Sequence, residues 1–322
     1  MENIGVFTSG GDAPGMNACI RAVVRTAVSE GMKVFGIRRG YEGMIDGDIY
    51  EMNSRSVSNI IQSGGTILIS ARSNRFHLKR GRLKAIANLK RFGINGVVAI
   101  GGDGTFRGAD KLYKEGDIKV VGCPGTIDND LYGTDFTIGF DTAVNTALEA
   151  IDRIRDTASA MDRLFLIEVM GRHTGFIALE AAIAGGAEGV LLPEKTKDIK
   201  KVYNVLQEGL RKGKHTNIIV VAEGDQSGGA NELADSLLKE FGIKSWVSVL
   251  GHIQRGGSPT ANDRVLASKL GYFAVKSLNN KMNGLMMGLV NSDITYTLFK
   301  ETYTKKKKLS NKDLAIISVL AG

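Results

Sequence analysis

Only two cysteines, Cys19 and Cys123, occur in the 322 residues of the chain. So few thiols exclude a disulfide scaffold and a multi-cysteine zinc site, and we expect both to be buried as small hydrophobic groups. No run approaches the ~18–20 apolar residues that a membrane-spanning helix needs. The N-terminal residues lack the basic stretch and long apolar stretch of a signal peptide. These absences predict a protein of the reducing cytoplasm with no membrane partner.

Familiar nucleotide-binding and nucleic-acid-binding patterns are missing as well. The chain contains no GxxxxGK[ST] loop, and its first glycine-rich loop does not fit GxGxxG. The net charge is +8, but the densest basic run, Lys305–Lys308, has no interleaved aromatic residues. We therefore expect that run to be a solvated loop, and we expect no nucleic-acid partner. A net positive charge also favours the binding of phosphorylated metabolites.

What the chain does contain is an alternation of short apolar runs with amphipathic stretches. Strands are predicted at 3–7, 33–37, 96–100, 119–122, 164–169, 189–192, 217–221 and 246–250. Helices are predicted at 16–30, 79–92, 142–157, 175–184, 199–211, 231–241 and 260–278, with another after GGDGT that ends near 114. This order predicts an α/β fold with mainly parallel sheets covered by helices on both faces, in two domains.

Six loops at predicted strand ends hold most of the glycine, aspartate and arginine clusters. They are 8–15 (TSGGDAPG), 101–105 (GGDGT), 124–130 (PGTIDND), 170–175 (MGRHTG), 223–225 (EGD) and 251–259 (GHIQRGGSP). Because ligands of open parallel sheets bind at the carboxyl ends of the strands, we expect these loops to form a site. The glycines of 8–15 precede a helix and let backbone N–H groups approach a phosphate.

The acidic and basic residues of these loops suggest phosphate chemistry. Asp103, between glycines, is suited to holding Mg²⁺, or else caps the following helix. Asp128 and Asp130 suit proton transfer with metal or charge positioning, or else form an Asx-turn. Arg172 and Arg255 suit a bidentate grip on phosphate oxygens, or else form surface ion pairs.

At this point a family resemblance is evident. TSGGDAPGMNA, GGDGT, PGTIDNDL, EVMGRHTG and VLGHIQRGGSP, in this order, make the chain similar to bacterial ATP-dependent 6-phosphofructokinases up to about Ser277. GGDGT also resembles NAD kinases and diacylglycerol kinases, whereas PGTIDND together with GHIQRGG is specific. The resemblance implies phosphoryl transfer from MgATP to the 1-hydroxyl of fructose 6-phosphate, the committed step of glycolysis.

The resemblance also implies roles for individual residues. Asp128 would be the base, with Thr126, Arg72 and Arg172 beside the transferred group, and Asp103 would bind Mg²⁺ with support from Asp130. The implied ATP-binding residues are Gly11, Arg72, Ser73, Gly102, Asp103, Gly104 and Thr105. The implied sugar-phosphate residues are Thr126, Ile127, Asp128, Arg163 (from a neighbouring subunit), Met170, Gly171, Arg172, Glu223, Lys244, His252, Ile253, Gln254 and Arg255.

Two comparisons with the family pattern concern specificity. Pyrophosphate-using relatives resemble GGDD and PKTIDND, whereas this chain has Gly104 and Gly125, which favours ATP as donor. Trp246 stands where the family usually carries an arginine that contacts the sugar phosphate. Lys244 lies two residues earlier but cannot reproduce a bidentate fork, so we expect weaker or altered substrate affinity.

Regulation, assembly and domain boundaries follow from the same resemblance. It implies a homotetramer with ADP or phosphoenolpyruvate bound between subunits. The effector pattern matches at Arg21, Arg25, Arg155, Gly186, Glu188, Lys212 and Lys214, while Ser54 replaces the usual arginine and Arg55 is adjacent. The implied architecture is two Rossmann-like domains, 1–139 with 256–304 and 140–255 with 305–322, with the active site in the cleft between them.

Two other functions are weighed against this one. A nucleotide or lipid kinase would share the GGDGT loop, but the acid-rich loop at 128–130 and the loop at 252–255 count against it. A non-catalytic regulatory or nucleic-acid-binding protein would suit the positive charge. The complete set of acids and arginines named above counts against that alternative.

Overall fold

The chain folds into two compact α/β units. The computed structural model describes residues 2–159, 163–195, 199–211, 217–224 and 228–320. The first unit comprises the described residues within 1–127, 131–142 and 255–307, and the second those within 128–130, 143–254 and 308–322. The domain spans given above, which place 128–130 in the first domain, stay a prediction.

Eleven strands and twelve helices are formed by the described residues. The first half of the chain contains β1 (Asn3–Ser9), α1 (Met16–Ser29), β2 (Lys33–Ile37), α2 (Gly40–Asp46), β3 (Ile49–Met52), α3 (Asn74–His77), α4 (Lys79–Arg91), β4 (Gly96–Gly101), α5 (Asp103–Gly116), β5 (Lys119–Pro124) and α6 (Phe140–Ser159). The second half contains β6 (Leu164–Val169), α7 (Phe176–Ala184), β7 (Gly189–Leu191), α8 (Ile199–Arg211), β8 (Asn217–Ala222), α9 (Ala230–Phe241), β9 (Ser245–Val249), a 3-10 helix (Gly251–Arg255), α10 (Ala261–Asn279), β10 (Leu285–Val290), β11 (Asp293–Leu298), α11 (Phe299–Thr304) and α12 (Asn311–Leu320). Among all the residues that the structure describes, no helix has both the length and the hydrophobicity to cross a bilayer.

The first unit is built on a seven-stranded sheet of order β11-β10-β5-β4-β1-β2-β3. Its five inner strands are parallel, whereas β3 and β11 run antiparallel to their neighbours. All residues of β4 are buried, as expected for a parallel strand covered on both faces. The predicted mainly parallel α/β fold is confirmed.

The second unit contains a four-stranded parallel sheet of order β7-β8-β6-β9. The apolar run of β8 is buried along its whole length, and α9 packs Leu233 and Leu237 into the same core. Strand β9 is the edge of this sheet, and its Trp246 lies opposite Phe165 of β6. The edge position leaves the side chains of β9 partly exposed.

The elements that sequence reasoning missed lie mostly after α10, which was expected to be the final clear helix. Strands β10 and β11 form a hairpin whose two turn residues, Asn291 and Ser292, have φ of 51° and 72°. Such turns usually carry Asn-Gly, so the Asn-Ser pair is a weak signal. α11 and α12, and the earlier α2 and β3, are too short to show a clear period.

Aromatic stacking fixes the C-terminal part of the first unit to its sheet. The ring of Phe299, the first residue of α11, stacks on Phe106 of α5 with centroids 5.5 Å apart. Both rings lie over Gly122, where a Cβ atom would come within 2.5 Å of Phe106 and 2.8 Å of Phe299. Glycine at this position of β5 therefore makes room for the stacked pair.

Both cysteines are completely buried, as predicted. The pKa of the Cys123 thiol is raised well above its usual range. The main cause is a hydrogen bond with Cys19, and burial is the second cause. The Cys123 thiol therefore stays uncharged inside the first unit, and thiolate chemistry at Cys123 is disfavoured.

The start of α6 is held by a buried carboxyl group from α10. Asp263, 1% exposed, accepts hydrogen bonds from the backbone N–H groups of Gly139 and Thr142, each at 2.8 Å. It also accepts one from the Thr142 hydroxyl at 2.5 Å. Burial raises the pKa of Asp263, although these hydrogen bonds act in the opposite direction. A residue distant in sequence thus satisfies the donors that a helix N-terminus leaves open.

Replacing Asp263 with alanine should destabilise the protein strongly. The change leaves two buried backbone N–H groups without an acceptor, and each such loss costs about 1–3 kcal/mol. We expect the free energy of unfolding to fall by about 3 kcal/mol, measured by urea denaturation. Asp156→Ala, at an exposed position of the same helix α6, is the matched control. An unchanged urea midpoint for Asp263→Ala would contradict the proposed capping role.

Candidate active site

Three of the predicted loops start side by side in the first unit. Strands β1, β4 and β5 are adjacent, and their register pairs Ser9 with Gly101 and Gly101 with Pro124. The segments TSGGD, GGDGT and PGTIDND therefore leave the sheet at the same edge. The expectation that these loops lie together is confirmed for the parts that belong to this unit.

The first two loops are tied together by a buried hydrogen bond. The hydroxyl of Thr105 donates to the carbonyl of Ser9 over 3.0 Å. A Cβ atom on Gly101 would lie 2.3 Å from that hydroxyl oxygen and 2.5 Å from the Ser9 carbonyl oxygen. Glycine is thus the residue that allows the two loops to approach this closely.

Gly104 borders open space. It is the second residue of α5, and a Cβ atom built on it would have no heavy atom within 4 Å. Glycine inside a helix costs roughly 1 kcal/mol relative to alanine, and here no neighbouring atom requires it. The free space at the N-terminus of α5 is therefore available to a ligand group such as a phosphate.

Asp103 starts α5 rather than capping it. The N-cap is Gly102, which has no side chain to form a capping bond, so the alternative of a capping aspartate is wrong. The carboxylate of Asp103 is 44% exposed, and Arg107 contacts it at 2.9 Å. In the part of the chain that the structure describes, no three His, Cys, Asp or Glu side chains form a metal cluster. Since Mg²⁺ usually takes one or two protein carboxylates plus phosphates and water, a single accessible carboxylate fits such a site.

The segment that carries Arg72 is fastened to the first glycine loop, a connection that sequence reasoning missed. Ser70 donates a hydrogen bond to the carbonyl of Gly10 at 2.7 Å, and the hydroxyl oxygens of Thr8 and Thr66 are 3.0 Å apart. Ile69 has φ of 55°, a strained conformation for a β-branched residue. These contacts hold the backbone next to Arg72 at the end of β1. The hydroxyl-rich run from Thr66 to Ser73 was the available signal.

Removing the Ser70 hydroxyl should impair the use of the phosphoryl donor. The lost hydrogen bond is worth about 1 kcal/mol, so we expect kcat/KM for ATP to fall about fivefold in Ser70→Ala and to recover in Ser70→Thr. Ser58→Ala is the matched control, because the hydroxyl of Ser58 bonds within its own exposed turn. Equal steady-state kinetics for Ser70→Ala and the wild type would show that this bond does not position the segment.

Two other predicted residues have contacts in the same unit. Ser73 accepts a hydrogen bond from the N–H of Phe76 at 3.1 Å and so caps α3. Arg255 donates to the carbonyl of Asp12 at 3.2 Å, and a Cβ atom on Gly11 would lie 2.1 Å from its Nη1 atom. Arg255, implied to bind the sugar phosphate, therefore lies against the loop implied to bind ATP.

A second cluster of predicted residues surrounds Asp128 in the second unit. The side chain of Asp128 is 5% exposed, and its Oδ2 atom is 3.7 Å from Nε of Arg172, which is 46% exposed. The Thr174 hydroxyl donates to the carbonyl of Asp128 at 3.2 Å. The N–H of Arg172 donates to a carboxylate oxygen of Glu223 at 3.4 Å. A buried carboxylate and an exposed cation are thus brought together by loops that follow different strands.

Sharp backbone turns make this arrangement possible. Gly171 and Arg172 have φ of 147° and 53°. The adjacent Met170 N–H donates to the side-chain oxygen of Gln254 at 2.9 Å, and Gln254 is fully buried. Its neighbours His252 and Ile253 are exposed. The side chain of Gln254 therefore links the backbone of two predicted loops.

Part of the predicted effector set also lies together in the second unit. Arg155 donates to the carbonyls of Gly185 and Gly186 at 2.5 and 2.9 Å, and its Nη1 atom is 4.0 Å from Glu188. Glu188 also accepts a hydrogen bond from the N–H of Ile218 at 2.7 Å. The remaining members lie elsewhere: Arg21 and Arg25 on α1 and Arg55 in an exposed turn of the first unit, with Lys212 and Lys214 outside the described residues.

Comparison with known proteins decides the family. The phosphofructokinase family profile matches residues 3–278. The chain is 58% identical to ATP-dependent 6-phosphofructokinase 1 of Thermus thermophilus, over 100% of both chains. It is 53% identical to ATP-dependent 6-phosphofructokinase of Cytophaga hutchinsonii, covering 100% of this chain and 98% of the relative.

The chain belongs to the phosphofructokinase family. Its fold agrees: phosphofructokinase from Saccharomyces cerevisiae superimposes with a TM-score of 0.89 at 35% identity, over 100% of this chain. The chain spans 48% of the yeast protein's length. The family match ends at residue 278, one residue before the end of helix α10. The hairpin β10–β11 and the helices α11 and α12 therefore lie beyond the matched range.

The clearest departure from the family pattern, Trp246, has two cationic neighbours. The guanidinium of Arg163 lies 4.3 Å from the centroid of the Trp246 ring system, and the ammonium of Lys244 lies 5.5 Å from it. Lys244 therefore does reach the same part of the surface as position 246. Arg163 is a residue for which the family resemblance implies contact with the sugar phosphate, and Lys244 is the lysine two positions before the missing arginine.

Proposed function

We propose that this phosphofructokinase transfers the γ-phosphoryl group of ATP to the 1-hydroxyl of fructose 6-phosphate, giving fructose 1,6-bisphosphate and ADP. The chain is an ATP-dependent 6-phosphofructokinase of glycolysis, in keeping with relatives of that name that match it over its full length. The observation that carries the mechanism is the buried carboxylate of Asp128 beside the exposed guanidinium of Arg172.

In the proposed step, the 1-oxygen of the sugar bonds to the γ-phosphorus of ATP. The bond from that phosphorus to the bridging oxygen breaks, and its electron pair leaves with ADP. The proton of the 1-hydroxyl passes to the carboxylate of Asp128, which acts as general base. Arg72 and Arg172 balance the negative charge of the transferred group, and Thr126 lies beside it. Positioning and charge stabilisation supply most of the catalysis in such transfers.

The donor site is proposed at the edge where the first three loops leave the sheet. Backbone N–H groups near Gly11 and Gly102 through Thr105 would bind the phosphates of ATP, with Arg72 and Ser73 beside them. Asp103, supported by Asp130, would hold Mg²⁺. A bound Mg²⁺ would neutralise charge on the phosphate oxygens. Glycine at position 104, where pyrophosphate-using relatives resemble GGDD, supports ATP rather than pyrophosphate as donor.

The acceptor, effector and assembly are proposed from the family pattern. The sugar phosphate would be held by Thr126, Ile127, Asp128, Met170, Gly171, Arg172, Glu223, His252, Ile253, Gln254 and Arg255. Arg163 and Lys244 would reach it together from a neighbouring subunit of a homotetramer. ADP or phosphoenolpyruvate would bind at Arg155, Gly186 and Glu188 together with Arg21, Arg25, Arg55, Lys212 and Lys214. We place this assembly in the cytoplasm.

One steady-state experiment tests the proposed reaction. ATP and pyrophosphate are compared as donors to fructose 6-phosphate, with and without ADP and phosphoenolpyruvate, and the product is measured by a coupled assay. We expect turnover with ATP and a change in the substrate curve with one of the two effectors. Turnover with NAD or a lipid as acceptor, and none with fructose 6-phosphate, would overturn the proposal.

A further inference from the structure

An aromatic ring with two cations lies at the edge of the second sheet. Trp246 stands on the edge strand β9 and is half-buried, with its ring system 6.2 Å from the ring of Phe165 on β6. Arg163 directly precedes β6, and Lys244 directly precedes β9. The parallel pairing of these two strands brings both cations to the same end of the sheet, beside the indole.

The distances correspond to cation–π contacts. At 4.3 Å from the ring centroid, the guanidinium of Arg163 is well within the ~6 Å limit of such contacts. Lys244, at 5.5 Å, is near that limit. A planar guanidinium on an indole face loses part of its freedom while its outer N–H groups stay available to a ligand. Trp246 thus orders Arg163 without neutralising it.

The charges around the indole favour an anion. Two positive groups share one ring, and within the described part of the chain neither of them is paired with a carboxylate. These like charges repel each other. A bound anion would attract both of them and so offset that repulsion. The fork of Arg163 and the point charge of Lys244 together suit the tetrahedral oxygens of a phosphate group.

We propose that Trp246 is a positioning residue that holds Arg163, with Lys244 beside it, to bind the phosphate group of the sugar phosphate. This inference rests on the proposed function. It adds a physical role for Trp246 to the expectation of weaker or altered substrate affinity: the indole restricts the motion of a cation, Arg163, from another part of the sequence. The ligand chemistry is a phosphate monoester, and inorganic phosphate shares it.

The single tryptophan of the chain offers a direct readout. Its fluorescence should change when wild-type protein is titrated with fructose 6-phosphate. A change at higher concentration is expected with inorganic phosphate, and no change with fructose. Unchanged emission at fructose 6-phosphate concentrations that saturate turnover would overturn the inference, as would an equal change with fructose.

Kinetics of variants provide the second arm. Trp246→Leu removes the aromatic face, and we expect KM for fructose 6-phosphate to rise about tenfold with kcat nearly unchanged, since the reacting atoms are not touched. Trp246→Phe keeps an aromatic face and should retain most of the affinity. Phe241→Leu is the matched control, because it removes a ring that stacks on Tyr203 in the same unit.

The outcomes separate the inference from the proposed function. If the wild type does not phosphorylate fructose 6-phosphate, the proposed function fails. If it does, and Trp246→Leu keeps the wild-type KM, the positioning role of Trp246 is wrong while the function stands. A rise in KM that Trp246→Phe shares fully with Trp246→Leu would also contradict the cation–π argument.

Discussion

Asp128→Asn is expected to lower kcat at least ~10²-fold with a modest effect on KM, the range in which a general base contributes. The amide keeps the size of the side chain but cannot accept the proton of the 1-hydroxyl. Asp128 is 4% exposed, and burial of a charge is unfavourable, so the neutral amide should leave the fold intact. Steady-state kinetics with saturating ATP, and a melting curve for each protein, measure both effects.

The matched control for this change is Asp152→Asn. Asp152 lies on α6 in the same unit, and its side chain is exposed. It should retain the wild-type kcat. Retention of near-wild-type kcat by Asp128→Asn itself would remove Asp128 from the role of base, even if the protein proved to be an active phosphofructokinase.

Gly104→Asp is expected to lower kcat/KM for ATP by ~10²-fold or more. A carboxylate at this position would enter the space proposed for the nucleotide phosphates. Two like unit charges ~4 Å apart repel by about 4 kcal/mol at an effective dielectric constant of ~20. The fold should not suffer, because an added Cβ meets no atom within 4 Å and an acidic residue in the first turn of α5 interacts well with the helix dipole. Activity and stability are therefore expected to change in opposite directions.

Gly104→Ala separates charge from bulk in this experiment. It adds the Cβ atom without a carboxylate, and alanine stabilises a helix by roughly 1 kcal/mol relative to glycine. We expect a higher melting temperature and a smaller loss of kcat/KM than in Gly104→Asp. If Gly104→Asp used ATP as efficiently as the wild type, the nucleotide phosphates could not lie at the start of α5.

Buried parallel strands were the part of the fold that was easiest to predict from the sequence. Strands Gly96–Gly101 and Asn217–Ala222 lie within one residue of the predicted bounds, since both are buried along their whole length and are almost entirely apolar. The edge strand Ile49–Met52 has buried residues only at its two ends, so it gives no such run. The hairpin Leu285–Leu298 has a glycine within its first strand and an Asn-Ser turn, both weak signals.

The candidate site was predictable where its chemistry sits in one loop. GGDGT and PGTIDND show their acids and glycines directly. Contacts between loops were not predictable, because they depend on register and on side-chain direction. Examples are the hydrogen bond from Ser70 to the carbonyl of Gly10 and the one from the N–H of Met170 to Gln254. At position 246 the sequence showed the missing arginine, whereas the ring contact with Arg163 required the structure.

The pairing of β10 with β5 has a consequence for the order in which the chain folds. Strand β5 lies between β4 and β10 in the first sheet, yet all four strands of the second sheet are synthesised between β5 and β10. On the ribosome, the nascent chain therefore carries β5 with one open hydrogen-bonding edge while the whole second sheet is being made. Open strand edges are templates for aggregation, so the first sheet is most exposed to aggregation during this interval.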